Sequence, residues 1–89
     1  MNAIVEQFGM AVRQLREQRG WSQDHLAALS GLNRSYVGEV ERGRAIASLV
    51  TVYKLARALQ LDAAELLAHS DKLRAQRRVQ YGALAAYHD

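Results

Sequence analysis

Residues 23–40 read QDHLAALSGLNRSYVGEV, and the spacing within them decides the fold. Counting from Gln23, Leu26 and Ala27 stand fourth and fifth, Gly31 ninth, Val37 fifteenth and Val40 eighteenth. Two short helices crossing through a tight turn require this pattern. Ala27 must be small where the later helix crosses the earlier one. Gly31 suits a turn whose backbone enters the left-handed region, and Val37 and Val40 face inward. Ser22 is placed to cap the first helix of the pair, from Gln23 to about Leu29. Asn33 is placed to cap the second, which runs to Val40 or Glu41 and is closed by Gly43.

Outward from this pair, the sequence continues to read as helix. Val5, Phe8, Val12 and Leu15 recur at helical spacing and predict a first helix from about Ala3 to Gln18, ended by Gly20. Ser48 is the expected cap of a fourth helix whose buried stripe is Leu49, Val52, Ala56 and Leu59. Asp62 and Glu65 form a capping box that starts a fifth, with Leu61 able to staple onto Leu66 across it. Beyond Ala68, Leu73, Val79, Tyr81, Leu84 and Tyr87 share no clean stripe and Gly82 interrupts them, while Ser70 could cap a further C-terminal helix. The expectation is an all-α protein: a compact five-helix domain over residues 1–69 and a helical extension over 70–89.

Composition excludes several function classes. The chain has 89 residues, enough for one domain, and no cysteine, which removes disulfides and thiolate metal sites and points to a reducing cytoplasm. No signal peptide and no membrane span are expected. His25, His69 and His88 share no metal-ligand spacing, and no nucleophile set, carboxylate pair or glycine-rich phosphate loop suggests an enzyme. No cofactor is expected. The net charge of +3 comes from a basic set in which ten of twelve cations are arginine. Such an excess is compatible with nucleic-acid binding without establishing it.

The inward assignment of Val37 and Val40 leaves Arg34, Ser35, Gly38 and Glu39 on the outer face of the third helix. Arg34 and Ser35 stand at its N-terminal end, the end that a recognition helix drives into the DNA major groove. Arg34 can contact guanine O6 and N7 with both arms of its fork, and Ser35 can serve base or phosphate. Glu39 has two readings, as acceptor for a cytosine amine or as ion-pair partner of Arg42 or Arg34. Trp21 is assigned to the core.

WSQDHLAALSGLNRSYVGEVERG, residues 21–43, together with the LR-x3-G-x-SQ lead-in from Leu15 to Gln23, resembles the helix-turn-helix of the phage-repressor/Cro-type (XRE-like) transcription regulators. The resemblance extends from about Phe8 to Leu67 and implies their lambda-repressor-like fold. SGLNRSYVGEVERG followed by SLVTVYKLARAL is most similar to controller proteins of restriction-modification systems. What the resemblance implies is a homodimer on double-stranded DNA carrying an inverted-repeat operator. Arg34, Ser35 and Glu39 would face bases, and Gln23, Asn33, Tyr36, Arg42 and Arg44 phosphates. It further implies a structural pair of Arg16 with Glu41. Ala47 departs from the family, many of whose members carry proline there, and this leaves the path of the Arg44–Ser48 loop open.

Tyr53, Leu66 and Leu67, extended by Leu84 and Tyr87, are the expected dimer surface. Arg74, Arg77 and Arg78 form a basic run whose readings are solvated face, DNA contact or partner contact. The competing function class is an antitoxin or anti-regulator whose main partner is another protein, and contact with RNA polymerase or a toxin stays open as well.

Overall fold

In the computed structural model, which describes residues 3–88 and their side chains through residue 76, five helices follow one another: α1 (Ala3–Gln18), α2 (Gln23–Ser30), α3 (Arg34–Glu41), α4 (Leu49–Ala58) and α5 (Ala63–His88). No strand occurs among the described residues.

Each start has a local cause. Ser22 accepts from the His25 amide to open α2, Asn33 from the Ser35 and Tyr36 amides to open α3, and Ser48 from the Thr51 amide to open α4. These side chains satisfy amide donors that a helix beginning cannot pair internally. At α5 the capping box closes reciprocally: the Glu65 amide donates to Asp62 Oδ1 at 2.7 Å and the Asp62 amide to Glu65 Oε1 at 3.1 Å. Gly31 ends α2 at φ +70°, where its amide reaches back to the Ala27 carbonyl.

The core gathers Phe8, Val12 and Leu15 from α1, Leu26 and Ala27 from α2, and Val37 and Val40 from α3. Val52, Leu55 and Ala56 of α4, Leu59 just after it, and Leu66 of α5 complete it. Helix α1 packs on α3 and α5, α2 on α3 and α4, and α4 on α5. The approach of α1 to α3 is close enough to involve backbone. A methyl group on Gly9 would stand 2.7 Å from the Glu41 carbonyl oxygen and nearer still to that of Val40. Gly9 is therefore a contact surface in its own right. The Arg19 guanidinium ties the same helix to α4, donating to the Leu15 and Leu59 carbonyls.

Several expectations are corrected. Leu66 has no exposed surface and fills the core, so it cannot belong to a dimer surface of this fold. Its neighbour Leu67 and Tyr53 are exposed. Leu49, expected in the buried stripe of α4, is 77% exposed, because α4 turns Thr51, Val52, Leu55 and Ala56 inward instead. Ser70 caps nothing: it is buried within α5, which continues unbroken to His88. Ala68–Gln76 contains neither glycine nor proline and is rich in good helix formers, so nothing there stops the helix. Trp21 is half-buried against the core, with the Arg19 guanidinium over its ring and the His25 ring tilted beside it. Ala45 and Ala47 pack on the core, which fixes the loop after Arg44 without a proline. Side chains of Arg77, Arg78, Val79, Tyr81, Leu84, Tyr87 and His88 lie outside the described residues.

Candidate nucleic-acid interface

The candidate reading surface rests on a buried polar brace. Arg16 of α1 grips Glu41 at the end of α3 with two contacts, Nε to Oε2 at 2.7 Å and NH2 to Oε1 at 2.9 Å, and donates its remaining NH1 to the Trp21 carbonyl at 2.8 Å. Their side chains are 12% and 2% exposed. The hydrogen bond to Glu41 holds the Arg16 guanidinium above its ordinary pKa, against the opposing effect of burial. A buried pair tolerates desolvation only when its remaining polar atoms are also bonded. Gln23 supplies one such bond, donating from Nε2 to Glu41 Oε1 at 3.0 Å. An amide nitrogen carries two hydrogens, so Gln23 retains one donor for an outside acceptor.

The leading turn of α3 is exposed at Asn33, Arg34 and Ser35. Asn33 Oδ1 is committed to the cap, at 2.8 Å from the Ser35 amide and 3.3 Å from that of Tyr36. Its amide NH2 group has no partner among the described residues and is the donor suited to a phosphate oxygen. Arg34 is ion-paired: its Nε lies 2.9 Å from Oδ1 of Asp24, in the first turn of α2. Sequence reasoning missed Asp24, because residues ten apart on different helices leave no periodic signal.

Three further side chains are already partnered within the chain. Tyr36 is half-buried against the core and its phenol lies 3.1 Å from Thr51 Oγ1, which is in turn 3.1 Å from Ser48 Oγ. Glu39 pairs with Arg42 at 2.8 Å, the intramolecular alternative of its two readings. Gly38, expected to face outward, is buried because the Arg42 guanidinium lies over it, with nitrogens 3.2 and 3.3 Å from where a side-chain carbon would stand. Arg44 is exposed and its amide donates to the Glu39 carbonyl at 2.9 Å. The outer face of α3 thus presents cations at both ends, two of them accompanied by carboxylates.

Among the described residues no cluster of histidine and carboxylate side chains could hold a metal ion, and no helix is long and apolar enough to cross a membrane. The arrangement can bind a polyanion through side-chain donors and discriminate hydrogen-bonding edges.

Comparison with known proteins places this geometry. The helix-turn-helix family model matches residues 12–66. The crystal structure of the restriction-modification controller protein C.AhdI from Aeromonas hydrophila superposes with a TM-score of 0.71 at 52% identity, covering 73% of this chain and 98% of that one. The control protein C.SmaI of Serratia marcescens is 43% identical over 64 residues, 72% of this chain and 76% of its own length. The clp gene regulator ClgR from Corynebacterium glutamicum superposes with a TM-score of 0.85 at 26% identity, covering 93% of this chain and 88% of that one.

Proposed function

This chain belongs to the helix-turn-helix family of transcription regulators, and on that premise we propose that it binds an inverted-repeat operator as a homodimer, in the manner of a restriction-modification controller. The observation that carries the reading is the exposure of Arg34 and Ser35 on a capped helix end whose opposite end is clamped by Arg16, Glu41 and Gln23. A helix held so firmly can present donors to a groove without reorganising. The likeness to C.AhdI and C.SmaI supports the controller class. Arg34 and Ser35 read bases, and Asn33, Gln23, Arg44 and Arg42 hold phosphates. Glu39 meets a base only by releasing Arg42, and Tyr36 can donate its phenol to the backbone while accepting from Thr51. Residues 1–69 form the DNA-binding domain and 70–89 an extension of it, in a cytoplasmic protein.

Dimerisation falls to the exposed apolar flank of α4 at Leu49, Val50 and Tyr53, together with the exposed Leu67 of α5. Pairing and operator occupancy are then linked equilibria, so occupancy rises steeply with protein concentration. Replacing Tyr53 with alanine should raise the dimer dissociation constant about 30-fold, the equivalent of roughly 2 kcal/mol for a central aromatic. Light scattering across a dilution series measures it, and an unaltered dissociation constant would place the interface elsewhere.

The function itself is tested by selecting duplexes from a random pool with the intact protein, then titrating the winner in a gel shift. Cooperative binding to two half-sites about one helical turn, or a multiple of it, apart is expected. Arg34→Ala should relax preference at one base position per half-site and cost about 1–3 kcal/mol, whereas Gln23→Ala should weaken all sequences alike. A chain that enriches no sequence, or an Arg34→Ala variant as selective as the parent, refutes the proposal.

A further inference from the structure

We propose that Asp24 is a specificity-determining residue that acts through Arg34, holding its guanidinium in the base-reading pose and penalising contact with phosphate alone. The inference rests on the operator-binding reading given above and deepens it.

The pair joins the first turns of two different helices, with Asp24 Oδ1 2.9 Å from Arg34 Nε. Both side chains are largely exposed, at 73% and 62%, so the pair contributes little to the stability of the fold. Its position matters more than its strength. Among the described residues no acceptor engages the two terminal amino groups of Arg34, and these are the atoms that reach guanine O6 and N7 together. The carboxylate lies beside Nε and leaves those amino groups open. A long side chain drawn to one side by a neighbouring charge has fewer rotamers to lose when it meets a base.

The same carboxylate has the opposite effect on indiscriminate binding. Away from its cognate base pair, Arg34 turns to a phosphate only by giving up its 2.9 Å contact with Asp24. At the cognate base pair the terminal amino groups bond the guanine while the ion pair stays whole, so the loss falls on wrong complexes alone. Discrimination then comes from weakening wrong complexes as well as strengthening the right one. An acidic residue in the first turn of α2 also suits the helix dipole, but that role requires no arginine and no particular base.

Asp24→Asn keeps the shape and removes the charge, and the Ser22 cap of α2 is untouched. In full-length protein, binding of a scrambled duplex should tighten about 3- to 10-fold at low salt, while the selected duplex gains little, so that the selectivity ratio falls by a similar factor. The lost preference should map to the base pair that Arg34→Ala relaxes, and Asp24→Asn should add nothing to base preference in an Arg34→Ala background. Asp24→Glu should restore part of the ratio. Equal tightening on both duplexes would reduce Asp24 to a general repulsive charge and overturn the proposal, as would an unchanged ratio. If the parent protein selects its duplex and only the Asp24 result fails, the operator reading stands; if the parent selects no sequence, both fall.

Discussion

Glu41→Ala is expected to lower stability by about 3–5 kcal/mol in urea denaturation, as much as truncating a fully buried core leucine. It strands Arg16, whose charge stays buried with one acceptor, the Trp21 carbonyl, in place of three. It also frees Gln23, which loses the oxygen that holds its side chain. Desolvating a guanidinium without its counter-charge is what makes the loss large; the pair itself contributes less than its rupture costs. Replacing both partners with apolar residues, Arg16→Met with Glu41→Leu, should therefore recover much of the stability. It should not recover operator affinity to the same degree, because Gln23 remains unanchored. A Glu41→Ala protein within 1 kcal/mol of the parent would mean that water reaches Arg16 far more easily than its 12% exposure implies.

Gly9→Ala should follow closely, with a net loss of about 2 kcal/mol: some 3 kcal/mol of overpacking, offset by about 1 kcal/mol from the better helix former. For a domain of this size that corresponds to a fall of roughly 10 °C in Tm. The added methyl group meets the carbonyls of Val40 and Glu41, which are backbone and cannot rotate aside as a flexible side chain would. The only relief is to move α1 off α3, and that shifts Arg16 relative to Glu41. The two substitutions share one joint, so their effects should not add when combined. A Gly9→Ala protein as stable as the parent, measured by thermal denaturation, would show that the helices can part at no cost.

The helix order was legible in the sequence wherever a local chemical signal existed. Ser22, Asn33, Ser48 and Asp62 each sit where a side-chain oxygen can meet an amide two or three residues on, and each does so. The Arg16–Glu41 contact, implied by family resemblance, joins residues 25 apart and could not have come from periodicity. What the sequence concealed depends on tertiary approach. Leu49 and Leu66 are both leucines at helical positions, yet one is 77% exposed and the other wholly buried, because the direction of each stripe is set by which neighbour the helix meets. Gly9 did leave a trace: a glycine inside a helix, beside an inward phenylalanine, gives up helix propensity and signals close packing. The outer face of α3 was half legible. Its residues were visible, but their partners Asp24 and Thr51 come from other helices, and Gly38 disappears beneath an arginine four residues later.

The hydroxyl contact between Tyr36 and Thr51 makes a lever of the molecule. It fastens the helix that leads with Arg34 to the first turn of the helix whose apolar flank we assign to pairing, so joining two copies through that flank would set the pitch of both leading ends at once. Such a device measures length as well as letters. Adding one base pair to the spacer would turn the second half-site away by about a tenth of a revolution, and α3 could follow it only by straining its tie to α4.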